Sequence, residues 1–199
     1  MPRDQRTITA ADILPLDQYE LIRADKRQEA LLRKKLTRLH IGPNATAIFE
    51  TWDSMWLQIQ EMLRIEKGGA DQLVDELAAY DPMVPKGAEF TVTLLFEVED
   101  PARRDAFLRT IGGVEDHVFL QVGSGRIAAE AEGDVARTRE SDGKASAVHF
   151  LHFRLDPGQV SAWCEGEGAA MIGIDHPAYG HVALIGGEAR AYLARECLA

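Results

Sequence analysis

The sequence predicts an α+β fold: an antiparallel or mixed sheet built from two β-α-β units, behind an N-terminal helical layer. Three observations predict it. Apolar residues recur at helical spacing through residues 1–80, and the period changes to strand alternation from residue 88. An Asp-Pro dipeptide stands between apolar runs at Asp100-Pro101 and again at Asp156-Pro157, at the same place in two strand–helix–strand copies, 90–122 and 145–174. Gly and Pro pairs punctuate the boundaries. At 199 residues one domain is expected over 1–199. Its parts are a mainly helical 1–80, with a β-hairpin near 38–50, and an α+β part over 88–199.

Thr9 is placed to cap a first turn over 10–14, which Pro15 interrupts. Leu16, Tyr19 and Ile22 form one helical stripe, and Ala30, Leu31, Leu32 and Leu36 another. The polar run between them predicts a break or an exposed turn. Residues 38–41 and 45–50 are β-prone around the turn signal Gly42-Pro43-Asn44. Thr51 or Asp53 caps a helix whose face is Met55, Trp56, Ile59, Met62 and Leu63, ended by Gly68-Gly69. Leu73, Val74, Leu77 and Tyr80 mark a further helix, closed by Asp81-Pro82 and Val84-Pro85.

Residues 90–98 then form a strand, and 102–111 a helix with Pro101 in its first turn. Strands over 117–122 and 126–131 flank Gly123-Ser124-Gly125, and 132–143 is a polar loop. A strand over 145–155 leads to a helix capped by Asp156. A strand over 169–174, a loop over 175–180, a strand over 181–185 and a terminal helix over 188–198 complete the order.

The balance is 22 basic against 32 acidic side chains, a net charge of −10, which excludes a dedicated nucleic-acid binder. The charge is divided. Residues 1–40 hold nine Lys/Arg and six Asp/Glu, a net of +3, and the remainder carries −13. A basic helix at 23–38 is either docked on an acidic body, its own or a second subunit's, or presented to an anionic ligand. Cys164 and Cys197 make no disulfide framework, and two free thiols are expected. Residues 1–9 lack the apolar core of a signal peptide, and no window is apolar enough to span a membrane. A cytoplasmic protein is expected.

No motif states a reaction. Gly123-Ser124-Gly125 lacks the third glycine and the following helix of a dinucleotide loop. Glu61 and Glu66 are five apart and no Glu-x-x-His occurs, which argues against a di-iron site. No metal and no cofactor is expected. His149 and His152 are three apart on a strand, so their rings point to opposite faces and do not share a metal. The richest stretch is 175–181. There Asp175 beside His176 is placed to orient an imidazole for proton transfer, with Tyr179 nearby. The same residues also fit a rigid Pro-containing turn.

Several blocks resemble an uncharacterised bacterial family, a domain of unknown function. They are Asp12-Ile13-Leu14-Pro15-Leu16 with Tyr19-Glu20, Ile22-Arg23, and Ile59-Gln60-Glu61-Met62-Leu63-Arg64. Tyr80-Asp81-Pro82 with Pro85, Ala147-Val148-His149-Phe150-Leu151 and Ile174-Asp175-His176-Pro177-Ala178-Tyr179 complete the set. Members of that family are often encoded beside rubrerythrin-like and iron–sulfur oxidoreductase proteins. The resemblance implies a link to redox or peroxide metabolism, with such a protein as partner, and transfers no catalytic residue. It directs attention to Arg23, Glu61, Arg64 and His149 as ligand-binding candidates and to Asp175, His176 and Tyr179 as catalytic ones. The expected function is an accessory, protein-interaction component of such a system, with its Met- and Trp-bearing helices suited to a homodimer interface. The alternative is a small-ligand enzyme or metal-binding protein, using the Asp175-His176 pair with Arg23 or Arg64 as anion anchor.

Overall fold

The computed structural model of the chain describes residues 6–133, 138, 139 and 141–198. Residues 1–5 of the N-terminal stretch, 134–137 and 140 of the polar 132–143 segment, and 199 lie outside the described residues.

Thr9 starts a single 3-10 turn, Ala10–Asp12, by donating its N–H and hydroxyl to the Asp12 carboxylate at 2.9 and 2.7 Å. Helix α1, Leu16–Thr37, follows Pro15 without a break. The predicted interruption is absent because residues 23–29, apart from Asp25, are strong helix formers with no Gly or Pro. Strands β1 (Arg38–Ile41) and β2 (Ala45–Phe49) form the expected hairpin. Gly42 at its turn has φ +70, and a Cβ there would meet the His181 ring at 2.5 Å, so only glycine fits.

Thr51, one of the two predicted caps, opens α2 (Trp52–Glu66). Its hydroxyl accepts from the Ser54 N–H, and Ser54 Oγ accepts from the Thr51 N–H. Lys67, with φ 55, ends the helix, and α3 is Gly69–Tyr80. Strand β3 is Glu89–Phe96, and α4 is Pro101–Thr110, capped by the Asp100 carboxylate. Then come β4 (Val118–Val122), β5 (Gly125–Ala128), β6 (Glu130–Ala131) and β7 (Val148–Arg154). Helix α5 (Pro157–Cys164) is capped by Asp156 at 2.8 Å, as predicted. Strands β8 (Ala170–His176) and β9 (Tyr179–Leu184) precede α6 (Gly187–Cys197). The expected loop over 175–180 is a tight hairpin, with Asp175 paired to Gly180 and His176 to Tyr179.

The fold is α+β with antiparallel pairing throughout, and the strands divide between two sheets. One has the order β1-β2-β3-β7-β6, the other β5-β4-β8-β9. Each β-α-β unit spans both sheets. The first gives β3 to one and β4 to the other, and the second gives β7 and β8 in the same way. β3 then pairs with β7, and β4 with β8, so the two units interlock. The crossing helices α4 and α5 start with the same Asp-Pro cap because each makes the same step.

The larger core lies between the sheets. Ile41, Ala47, Phe49, Phe90, Val92, Leu94, Leu151 and Phe153 face Leu120, Ile172 and Ile174 across it. Burying each large apolar side chain contributes about 1.5–3 kcal/mol. A second, smaller cluster of Ile8, Tyr19, Met55, Trp56, Ile59, Met83 and Val84 covers the outer face of the five-stranded sheet at Phe150. Trp52 and Trp56 donate their indole N–H groups to the Thr7 and Asp12 carbonyls, both at 2.8 Å, binding the N-terminal turn to α2. Both cysteines are free, Cys164 exposed and Cys197 buried. No described helix is long and apolar enough to cross a membrane.

Candidate cleft between helices α1 and α2

Helix α1 buries only Tyr19 and Thr37. These are 18 residues apart, five full turns of an α-helix, so they share one face about 27 Å apart. The helix is thus held at both ends. Between the two points the same face carries Arg23, Arg27, Ala30 and Lys34 in place of an apolar stripe. With cations and only Ala30 on this stretch of the face, the helix does not close on α2 and leaves a cavity of about 400 Å³. Leu31, Ile48, Met55 and Leu57 give it apolar walls, and Glu50, Ser54, Gln58 and Glu61 give it polar groups.

Two carboxylates in the cleft have different environments. Glu61 takes a bidentate pair from Arg23, at 2.7 and 2.9 Å, and a hydrogen bond from the Tyr19 hydroxyl at 2.5 Å. The Arg23 guanidinium, opposed by burial and helped by Tyr19, pulls its carboxyl down to about 2. Burial and the Glu61 carboxylate push the Tyr19 phenol well above its usual range. Glu50 sits just past β2 and is 6% exposed. It accepts from Ser54 Oγ at 2.6 Å and Thr93 Oγ1 at 2.7 Å. Burial raises its pKa against those bonds and the nearby charges of Arg33 and Lys34.

Of the residues the sequence singled out, Arg23 and Glu61 meet in this cleft and neutralise one another. Arg64 pairs with Glu20 at 2.6 Å outside the cavity lining. The other candidates lie elsewhere. His149 is on the inner face of β7 and is 2% exposed. It stands edge-on to Phe96, with Nε2 3.0 Å from the Ser146 carbonyl and Nδ1 3.9 Å from Glu115. Tyr179 is also inside. Its hydroxyl donates to the Ile41 carbonyl at 2.6 Å and accepts from the Asn44 and Ala45 N–H groups, both at 3.0 Å.

The Tyr179 anchor is at the start of β2 and Glu50 follows its end, so five strand residues, about 17 Å, separate it from the cleft. His176 Nδ1 accepts from the Ala178 N–H, which leaves Nε2 as the donor to the Gly112 carbonyl at 3.2 Å. Both ring nitrogens are thereby occupied. Asp175 does not bond its neighbour. It pairs with Arg126, which stacks on Phe119, and with His117 at 3.1 Å, on the exposed face of the four-stranded sheet. Arg126 and then His117 hold its carboxyl below the usual range. One site combining Asp175-His176 with Arg23 or Arg64 is therefore not formed: strand pairing commits the loop to a hairpin and the arginines to carboxylates of α1 and α2.

His149 and His152 do face opposite sides of the sheet. Spacing along the chain does not show what surrounds His152. It is 7% exposed, with Nδ1 3.2 Å from Glu89 and Nε2 2.7 Å from Glu132, in a cleft that Lys86 and Arg154 also line. Glu89 and then Glu132 raise its pKa against the effect of burial. The register could have signalled it, since Glu89 pairs with Arg154 two residues from His152 and so shares its face. Among the described residues no group of three or more His, Cys, Asp or Glu is arranged to hold a metal ion.

No curated protein matches the chain. A crystal structure described as a novel protein of unknown function from Burkholderia pseudomallei matches with a TM-score of 0.87 and 35% identity. The match covers 96% of this chain and 98% of that one. The model of a family described as protein of unknown function (DUF3501) matches residues 7–197. The match over nearly the whole length shows that the chain belongs to the DUF3501 family.

Proposed function

We propose that the protein is an accessory component that binds a protein partner in a bacterial redox or peroxide-stress metalloprotein system, with α1 as the docking element. The observation that carries this is the outward face of α1. Leu21 is 84% exposed and Leu32 54% exposed, on the side of the helix away from Tyr19 and Thr37. Leucines presented three turns apart contribute nothing to the fold in water and gain by being covered. Lys35 continues the same face with exposed Asp17 and Asp25 beside it, while residues 1–40 as a whole carry +3, a long-range charge that favours an acidic partner. The family resemblance supplies the partner class, a rubrerythrin-like or iron–sulfur oxidoreductase protein, and with it a cytoplasmic site of action.

The test is a fluorescence-anisotropy titration against purified rubrerythrin-like and iron–sulfur oxidoreductase proteins of the same organism, at low and high salt. Saturable binding is expected, weaker at high salt. The double variant Leu21→Glu/Leu32→Glu, folded by circular dichroism, should bind at least ten-fold more weakly. If neither protein binds and the same double variant instead dissolves a homodimer seen by sedimentation, the face belongs to a second copy and the proposal is wrong.

A further inference from the structure

The inward face of α1 supports a second role, independent of the docking face. An amphipathic helix normally turns its apolar stripe to the body and its charges to water. Here the stripe between the two buried anchors is cationic, and it roofs a cavity. Arg23 is neutralised by Glu61, and Arg33 stands 3.5 Å from Asp53. Arg27 and Lys34 have no carboxylate within ion-pair distance among the described residues. They are seven residues apart, two turns along one face, so about 10 Å of helix presents two positive charges without a direct ion-pair partner over one opening, with Glu50 and Glu61 in the lining below. Leu31 on the same helix and Ile48, Met55 and Leu57 opposite give the cavity apolar wall beside its polar groups.

The volume of about 400 Å³ falls within the ~300–1,000 Å³ of small-molecule pockets. At ~30 Å³ for a water-sized group it has room for about a dozen non-hydrogen atoms. We propose that the cleft between α1 and α2 binds an organic anion with an apolar body of this size, its charged head held by Arg27 and Lys34 and its chain laid on Leu31, Ile48, Met55 and Leu57. Glu50 on the floor is already engaged by the Ser54 and Thr93 hydroxyls, and burial raises its pKa.

Calorimetric titration of the full chain with octanoate, octyl phosphate and 1-octanol tests this. At least one anion should bind at a stoichiometry of one, ten-fold or more tighter than 1-octanol. The tighter of the two identifies the head group as carboxylate or phosphate. Arg27→Gln/Lys34→Gln, which alters only exposed side chains, should lower the affinity at least ten-fold with an unchanged thermal midpoint. Ala30→Trp should fill the cavity and abolish binding. Leu21→Glu/Leu32→Glu should bind the anion as the parent does, which separates this site from the docking face. If neither anion binds more tightly than 1-octanol, or if the glutamine pair leaves the affinity unchanged, the proposal is overturned.

Discussion

Replacing Tyr179 with Phe removes one oxygen and leaves the ring in place. That ring packs against Phe107 at 5.5 Å, Phe96 at 6.2 Å and His181 at 4.6 Å, and all three contacts survive in the variant. What is lost is the hydroxyl's bond to the Ile41 carbonyl and those from the Asn44 and Ala45 N–H groups. At ~0.5–1.5 kcal/mol for each hydrogen bond, the three amount to about 2–4 kcal/mol. Ile41 and Ala45 are buried, so water replaces little of the loss. Urea unfolding followed by tryptophan fluorescence should show the midpoint falling by about 1 M, at a slope of ~2–3 kcal/mol/M that does not change. A variant within about 0.5 kcal/mol of the parent would refute the assignment of this hydroxyl to holding the β1–β2 turn. It would return Tyr179 to the list of residues free for chemistry.

Arg190 is 8% exposed and donates to the carbonyls of Ala162, Trp163, Glu167 and Gly168, closing the C-terminal end of α5. Lysine cannot reproduce that fork, so Arg190→Lys should cost about 2–3 kcal/mol by chemical denaturation; a neutral substitution would contradict the geometry. Glu61 titrates at about 2 in the folded chain against 4.5 when free, so it stabilises fully above pH 4.5 and the benefit is lost as pH falls through about 2. The difference in thermal midpoint between the parent and Glu61→Gln should therefore be constant from pH 5 to 8 and shrink toward pH 2; a pH-independent difference would show that no ion pair is involved. His152 has a raised pKa, so its stabilising contribution is present below pH 6.5 and is lost as pH rises through the folded value. An NMR titration of its ring should give a midpoint above 6.5, and one below it would mean that Glu89 and Glu132 do not hold the imidazolium.

The two Asp-Pro caps were legible because capping is local: carboxylate, proline and the first free N–H lie within four residues. The allocation of strands to two sheets was not, because it depends on pairings such as Val92 with Leu151 that join residues far apart in sequence. The continuity of α1 through residues 23–29 is not legible from patterning, because helical patterning registers apolar faces and this face is charged over a cavity. The Arg23–Glu61 contact joins two candidate residues on two helices, whereas Glu50 reads in sequence only as the tail of a strand. Its significance comes from Ser54 and Thr93 closing over it, one a turn along α2 and the other on a neighbouring strand. His176 was favoured as a proton carrier because of Asp175 beside it, yet strand geometry sends adjacent side chains to opposite faces.

The interlocking of the two β-α-β units bears on how the chain is made. On a ribosome the N-terminal part emerges first, at ~5–20 residues per second. Until β7 is released, β3 has only β2 beside it, and until β8 is released β4 has only β5. Both sheets therefore acquire their central pairs late and almost together, within the 148–176 stretch. A nascent chain arrested before residue 148 would hold apolar strands with open edges, a target for chaperones and proteases. One carried past residue 184, the end of β9, would complete both sheets and withdraw those edges from reach.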